Sequence, residues 1–411
     1  MRRTSPAAGV LGAALLAVLV PAGPAGADPG GGGTGTVRVS VTAAGTQAND
    51  RSFSPLISRN GRYVAFTSWA TNLVPDPVPT RQLKSYLRDL WNGTVERVTL
   101  DGVPVDVRDI SASGDRIVIA ASTGLYVRDL PTGLTRRVDL DLGEFTGGGT
   151  GSPRISGSGR YVVFTVGRPT GSTAAEASRV YVRDLVDGTT QWVSHPSTTP
   201  GTYYVGSPVI SDDGQRIAYT SVKSVPWGPP PVPPEKGHVF LVDRTTGGRQ
   251  IVDVAQDGST PERVLSGPLS LSADGNLVLF NRTDTSPVTA NDQNSTTFVR
   301  DMATGTTRPT PFNGPTSFGS LSADGRYVLL MPGTPGPNTP IAPLFLWDRE
   351  TGQGQMVTLT KDGYPAAGYP GEPALTGDGR TFAFESRDSD IVPGDTNGTW
   401  DVFVRTLPPG S

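Results

Sequence analysis

The stretch SADGRYVLL, residues 322–330, joins an Asp-Gly turn to a run of apolar and β-branched side chains. The chain contains six relatives of it: SRNGRYVAF from Ser58, SASGDRIVI from Ser111, SGSGRYVVF from Ser156, SDDGQRIAY from Ser211, SADGNLVLF from Ser272 and TGDGRTFAF from Thr376. Asp-Gly supplies the positive φ angles that a tight hairpin needs. The nearly continuous apolar run suits a strand that is buried on both faces. We therefore predict the same β-hairpin seven times.

The turn glycines of these hairpins define seven repeats, numbered here in chain order: Gly61, Gly114, Gly159, Gly214, Gly275, Gly325 and Gly379. A period near fifty residues is typical of a propeller or a solenoid. Each hairpin precedes a motif such as YVRD, which ends at Asp129 in repeat 2, then a second turn and a short β-prone segment. Each repeat thus predicts four strands, A to D, with the Asp-Gly turn between A and B.

The two chain ends distinguish an open array from a ring. The last repeat stops at FVRTLPPGS with no strand D, whereas GTVRVSV from Gly35 reads as an orphan strand D. Pairing that segment with the C-terminal strands A to C closes a ring and removes the exposed edges. A solenoid would instead need polar caps at both ends. The prediction is an all-β, seven-bladed β-propeller with four antiparallel strands per blade.

The motifs SADGRYVLL and DIVPGDTNGTWDVFVR, the latter from Asp390 to Arg405, resemble the TolB-type (WD40-like) propeller repeats of secreted bacterial proteins. The resemblance covers residues 36–411. It implies the propeller fold but no single function, because such repeats occur in binding proteins, peptidase gating domains and envelope factors. The separate N-terminal domain of TolB has no counterpart here, and no hydrolase domain follows the repeats.

The N-terminal segment has the form of a secretory signal peptide. Arg2 and Arg3 precede an apolar run, and small residues end at Ala27. The run is shorter than the ~20 residues of a membrane-spanning helix. The predicted organisation is a signal peptide over 1–27, a flexible Gly-rich leader over 28–35 and the propeller over 36–411. We expect a secreted or cell-wall-associated monomer with no membrane span, which holds its fold without disulfides because it has no Cys.

Two opposite faces follow from this architecture. The turn face carries the short A–B and C–D turns, and the connection face carries the B–C and D–A connections, whose lengths vary most. Long loops on one end of a rigid scaffold commonly carry recognition, so we predict the connection face to be the binding face. Aromatic residues in its loops are the candidate contacts: Trp69, Tyr203, Tyr204, Trp227, Tyr364, Tyr369 and Trp400.

Few residues in the sequence suggest a catalytic site. The chain has two histidines, His195 and His238, and no GxSxG nucleophile motif. A Ser-His-Asp set could still assemble across the fold. Charged residues near the starts of strands A are candidates for the mouth of the central channel: Asp106, Asp109, Arg154 and Glu372. An ordinary salt-bridged rim is the alternative interpretation.

One cation site is conceivable. DTNGTWD places oxygen-bearing side chains at every second position, Asp395, Asn397, Thr399 and Asp401. Such spacing can surround a calcium ion. The Gly and Glu positions of an EF-hand are missing, and Asp and Asn also form turns by bonding their own backbone.

The net charge of −3 and the absence of a basic block argue against a nucleic-acid partner. The leading hypothesis is a secreted, non-catalytic binding scaffold of the cell envelope, which takes a protein, peptide or envelope glycan on its connection face. One alternative is a channel-centred hydrolase or lyase acting on a polysaccharide or small ester. Another is a structural envelope component.

Overall fold

The computed structural model describes residues 35–76, 82–171, 176–194, 202–224, 237–261, 264–284, 295–313, 318–331, 343–366 and 373–408. Within these ranges the chain forms thirty β-strands and one 3₁₀ helix, Gly143–Phe145. The helical content of this described part includes nothing long and apolar enough to cross a membrane. The predicted signal peptide and most of the leader lie outside the described residues.

Four repeats form separate four-stranded antiparallel sheets, with strands in the order A to D. Repeat 1 comprises Ser52–Ile57, Tyr63–Ser68, Lys84–Asp89 and Thr94–Arg97; repeat 2, Asp106–Ile110, Arg116–Ala121, Gly124–Asp129 and Thr135–Arg137; repeat 3, Thr150–Ile155, Tyr161–Gly167, Ser178–Asp184 and Thr189–Trp192; repeat 6, Gly319–Leu321, Tyr327–Leu330, Phe345–Asp348 and Gly354–Met356. A small extra hairpin, Thr99–Leu100 with Val103–Pro104, lies between repeats 1 and 2.

Repeats 4 and 5 join into one eight-stranded sheet, which the sequence did not predict. Its strands are Thr202–Ile210, Arg216–Ser224, Gly237–Asp243 and Arg249–Ile251, then Val264–Leu271, Leu277–Asp284, Ser295–Asp301 and Thr306–Asn313. A single parallel pairing of Gly237 with Leu265 connects the two halves. Gly237 permits this approach because a Cβ there would lie 2.9 Å from Val222 and 3.0 Å from Leu265.

The predicted pairing of the chain ends is present. Gly35–Arg38 lies antiparallel to Asp401–Thr406, with Val37 opposite Val404. The same sheet continues through Thr381–Ser386 to Ala374–Leu375. The N-terminal strand therefore occupies the strand D position of repeat 7.

The A–B turns are linked to one another by backbone hydrogen bonds. These bonds run from Asn60 N to Ala112 O, Ala112 N to Gly157 O, Ser158 N to Asp212 O, Asp212 N to Ala273 O, Ala273 N to Ala323 O, Ala323 N to Gly377 O and Gly377 N to Arg59 O. The last bond returns to the turn of repeat 1. Each turn thus contacts the turns of the repeats before and after it.

The turn chemistry differs in one respect from the prediction. The turn glycines have positive φ, for example +73° at Gly214, but the residue before each of these glycines does not have positive φ. Its side chain bonds locally instead: Asp213 Oδ1 accepts Ser211 Oγ at 2.6 Å and the amide of Gln215 at 2.9 Å. Asp therefore acts here by bonding its own backbone, as Asx residues often do.

Strand B is buried on both faces, as its apolar run predicted. In repeat 1, Val64 and Phe66 pack with Val402 and Val404 of the last sheet, whereas Ala65 packs with residues of repeat 2. Side chains of a strand alternate between faces, so each sheet contributes to two cores. This burial of apolar surface is the main stabilising term available to a chain without disulfides.

The recurring Arg-Asp pattern is structural. Arg160, which follows a turn Gly, bonds Asp184 of the YVRD motif with an Nη2–Oδ2 distance of 2.7 Å. Burial alone would raise the pKa of Asp184, but the hydrogen bonds from Arg160 and from backbone amides outweigh it and lower the pKa to about 2. In repeat 6 the bond from Arg326 likewise lowers the pKa of Asp348 to about 2, against the effect of burial. The pair ties strand B to the C–D turn.

Candidate functional site

A cavity of about 450 Å³ opens on the connection face of repeat 2. Strands B and C of this repeat are joined by only Ser122 and Thr123, whereas other repeats carry long B–C connections. The missing length leaves space above the sheet. The cavity is lined by Leu100, Asp101, Val103, Pro104, Val105, Asp106, Arg108, Ala120, Ala121, Ser122 and Thr123.

The extra hairpin before repeat 2 forms one wall of this cavity. Its turn is Asp101-Gly102, with φ of +50° and +79°. Both central residues of a type I′ hairpin turn need positive φ, a demand that Asp-Gly meets. Val103 is 60% exposed beside this turn. The wall thus combines an exposed apolar side chain with the carboxylate of Asp101.

An ion pair lies at the edge of the cavity. Arg108 Nη2 is 2.9 Å from Asp106 Oδ2, and both side chains are about half exposed (51% and 49%). A guanidinium has five N–H donors, so the half-exposed Arg108 can bond a ligand while it keeps Asp106. The cavity is therefore lined by one cation, two carboxylates, two hydroxyls and apolar side chains such as Val103 and Val105.

Three of the predicted channel-mouth residues lie close together around this ion pair. Asp109 Oδ2 accepts the amide of Ile155 at 2.8 Å, and Arg154 Nη1 donates to the carbonyl of Arg108 at 3.3 Å. Burial raises the pKa of Asp109, while the Arg154 guanidinium opposes this effect. Asp109 and Arg154 thus connect the A strands of repeats 2 and 3. The fourth candidate, Glu372, lies outside the described residues.

The turn-face end of the axis carries an ion pair that sequence reasoning missed. Arg59 Nη1 of repeat 1 lies 3.2 Å from Asp212 Oδ1 of repeat 4, and Arg59 Nη2 donates to the carbonyl of Leu271 at 3.4 Å. Burial raises the pKa of Asp212, and Arg59 opposes this. Since repeats 1 and 4 are not neighbours in the circuit of turns, the pair spans the axis. The sequence does contain a signal for this ion pair, because only two of the seven equivalent positions are charged. These positions are Arg59, Ala112, Gly157, Asp212, Ala273, Ala323 and Gly377.

Replacing Arg59 by Ala should lower the free energy of unfolding at pH 7 by about 1–2 kcal/mol, because Asp212 then loses its cation in a partly buried site. Asp212 has a raised folded-state pKa, so its ionisation opposes folding as the pH rises through that value. The loss should therefore be smaller at pH 4 than at pH 7, because acidification protonates the Asp212 carboxyl and removes the charge that Arg59 pairs with. Urea unfolding of R59A at both pH values tests this. R59A/D212N is the control and should recover stability at pH 7; an equal loss at both pH values would contradict the assignment.

The candidate aromatics divide by exposure. Tyr204 and Tyr364 are 54% and 70% exposed. Trp69 is partly buried beneath the Arg51 guanidinium, 5.4 Å from its ring, and Trp400 is also partly buried. Tyr203 lies in strand Thr202–Ile210, but its side chain is outside the described part, as are Trp227 and Tyr369. Tyr204 and Tyr364 are therefore the accessible aromatic contacts among the described candidates.

The residues of the predicted calcium loop lie against the N-terminal segment. Gln47 Nε2 donates to Asp395 Oδ1 and to Asp401 Oδ2, both at 2.8 Å, and Asn397 Nδ2 donates to Asp401 Oδ2 at 3.1 Å. Asn397 Oδ1 accepts the amide of Thr399 at 3.0 Å. In the described ranges, no group of three or more His, Cys, Asp or Glu side chains is suited to holding a metal. Calcium binding at this loop stays a prediction.

Comparison with solved structures identifies the fold. An oligogalacturonate lyase in complex with manganese matches with a TM-score of 0.58 and 15% identity over 92% of this chain and 95% of that chain. An oligogalacturonate lyase from Vibrio parahaemolyticus gives 0.55 and 14% over 87% and 89%. The β-propeller domain of the Trilobed protease from Pyrococcus furiosus gives 0.56 and 10% over 88% and 96%. No family model and no curated protein matches the chain. At these identities the likeness shows the fold alone, a β-propeller.

Proposed function

We propose that the chain is a TolB-type propeller of seven blades, closed by the strand Gly35–Arg38. The repeat motifs and the pairing of this strand with Asp401–Thr406 support the proposal. The circuit of hydrogen bonds from turn to turn, which returns from Gly377 to Arg59, supports both the blade count and the closure. The single bridge at Gly237 then joins two neighbouring blades without changing their number.

The proposed activity is binding on the connection face, with the cavity of repeat 2 as the binding site. The observation that carries it is a cavity of about 450 Å³ with a half-exposed Arg108 at its edge. An apolar floor with a few convergent polar groups is the usual character of a ligand site. Arg108 recognises carboxylates through paired N–H donors. The ligand class is therefore a peptide or glycan segment that carries a carboxylate next to an apolar group.

The predicted signal peptide favours an extracellular partner for this site. The N-terminal segment fits a secretory signal peptide. The sequence has no Cys and therefore does not indicate a particular redox compartment. The proposed location is outside the cell or at its wall. Calcium at Asp395 to Asp401 is a secondary proposal, which isothermal titration with calcium chloride tests directly.

A channel-centred lyase is the second candidate function. It is favoured by Asp109, whose pKa is raised by burial, beside the cation Arg154. A buried carboxyl with a raised pKa and a nearby cation are elements of proton-transfer chemistry on acidic substrates. Incubation with oligogalacturonate and detection of unsaturated products tests it. Asp109→Asn should abolish any turnover, whereas binding of oligogalacturonate without turnover supports the binding proposal.

We expect Arg108→Ala to weaken binding of carboxylate ligands about tenfold. This is the lower end of the about 1.5–3 kcal/mol that a charge-assisted hydrogen bond contributes, because Arg108 is half exposed. The probe is an array of acidic and neutral oligosaccharides and peptides, followed by titration of the strongest ligand. Neutral ligands should lose nothing. Arg136→Ala is the matched control, because it removes the same charge from an exposed position on strand Thr135–Arg137. Equal affinity of R108A and the unmodified protein for every acidic ligand would reject this site.

A further inference from the structure

His238 and Asp253 form a buried pair in repeat 4. His238 Nδ1 lies 3.0 Å from Asp253 Oδ2; the Asp253 side chain is fully buried, and that of His238 is 18% exposed. A carboxylate only accepts hydrogen bonds, so Nδ1 carries the proton and Nε2 keeps its lone pair. An imidazole held in this tautomer by a buried carboxylate is the general-base arrangement of hydrolytic triads.

Asp253 has a second side-chain oxygen, which the equivalent Ser and Thr residues of repeats 3, 6 and 7 lack. The equivalent residues Ser194, Thr358 and Ser40 each accept the amide at the start of strand C through a hydroxyl, at 2.9, 3.0 and 3.2 Å. Asp253 Oδ1 makes the same bond with the amide of Val239, at 3.1 Å. Its second oxygen is the additional group, and this oxygen holds His238.

A hydroxyl stands opposite the imidazole. Ser221 on strand B is the direct cross-strand partner of His238. Opposite residues of an antiparallel pair have Cβ atoms about 4.5–5.5 Å apart on one face. The equivalent serines of repeats 1 and 7, Ser68 and Ser386, accept the amide two residues further on, at 3.0 and 3.1 Å. Among the described residues, Ser221 has no such amide partner.

The geometry points to a hydrolytic centre in repeat 4, in which Ser221 is the nucleophile, His238 the general base and Asp253 the positioning residue. The substrate class is a small carboxylic ester. Ser221 Oγ bonds the carbonyl carbon while its proton passes to His238 Nε2. The ester C–O bond then breaks, and the alcohol leaves with that proton. Water, deprotonated by His238, hydrolyses the acyl-serine and releases the acid. This site is separate from the cavity of repeat 2.

A fluorophosphonate probe on the full-length protein tests this inference, with the modified residue identified by peptide mass spectrometry. Ser221 should be labelled, and p-nitrophenyl acetate hydrolysis should fall about 100-fold in Ser221→Ala and in His238→Gln, the usual contribution of a general base. Ser386→Ala is the matched control and should leave both readouts unchanged. Absence of an adduct on Ser221, or equal labelling of H238Q, would overturn the proposal.

Two further measurements keep the test independent of folding defects. Asp253→Ser preserves the backbone bond, because Ser occupies that place in repeats 3 and 7. It should keep the melting temperature while Ser221 labelling slows, since the imidazole is no longer held in one tautomer. Labelling of Ser221 at an unchanged rate in D253S would contradict the positioning role of Asp253.

Discussion

Replacement of Asp401 by Ala should lower the free energy of unfolding by about 3–5 kcal/mol, the usual loss when one member of a buried polar pair is removed. Asp401 is fully buried and accepts bonds from Ser40 Oγ at 2.5 Å and from Gln47 and Asn397. Arg38 Nε lies 4.0 Å away. Burial raises the pKa of Asp401, while its bonds to Ser40 and Gln47 and the Arg38 charge oppose this. Truncation leaves the buried Ser40 hydroxyl without this acceptor and removes one of the two acceptors of Gln47 Nε2 and of Asn397 Nδ2.

Equilibrium urea unfolding of D401A measures this loss. Asp362→Ala is the control, because its side chain is 64% exposed and its ion pair is with Lys361 at the surface. Surface pairs of this kind contribute about 0–1 kcal/mol. A loss below 1 kcal/mol in D401A would mean that the polar contacts between the chain ends add little to the fold.

Gly214→Ala should lower the free energy of unfolding by about 2–5 kcal/mol. The residue has φ of +73°, and left-handed backbone costs a non-Gly residue about 1–2 kcal/mol. A Cβ would also lie 2.1 Å from Cδ2 of Tyr161 in the preceding repeat. That ring cannot move freely, because the guanidinium groups of Arg160 and Arg244 lie over it at 5.0 and 4.5 Å. Overpacking adds about 1–3 kcal/mol.

Gly61→Ala separates the two contributions. Gly61 has the same backbone conformation, φ +74°, but a Cβ there would meet only Thr376 Cγ2, at an ordinary 3.5 Å. We expect its cost to be the backbone term alone, about 1–2 kcal/mol. Chemical denaturation of both variants gives the difference, which measures the packing of one turn on the neighbouring repeat. Identical losses would show that packing contributes nothing at Gly214.

The regular part of this fold was predictable because it depends on residues that are close together in the sequence. Each apolar run before a YVRD-like motif becomes a buried strand, and the orphan segment at Gly35 pairs where the missing strand D of repeat 7 was expected. The hairpin turns also form at the predicted glycines. Periodic burial and turn residues specify these features over short distances.

Contacts between distant repeats were not predictable in the same way. Gln47 contacts Asp395, and Arg59 contacts Asp212, only because the fold brings distant parts of the chain together. The pairing of His238 with Asp253 was not predicted either, because Asp253 follows another strand and takes the place of a capping hydroxyl. A comparison of equivalent positions in different repeats is what indicates these contacts. A charged residue where other repeats have a small one marks a contact that the repeat itself does not need.

The shared sheet of the two chain ends has a consequence for biosynthesis. The chain is synthesised from its amino terminus to its carboxyl terminus. The strand Gly35–Arg38 therefore has no strand to pair with until Asp401–Thr406 has been made. Contacts of such large sequence separation form slowly. Until then Gln47 and Ser40 lack the carboxylates that they bond in the finished molecule. An incomplete chain, truncated before its last strand, would therefore remain open at this sheet and exposed to proteolysis.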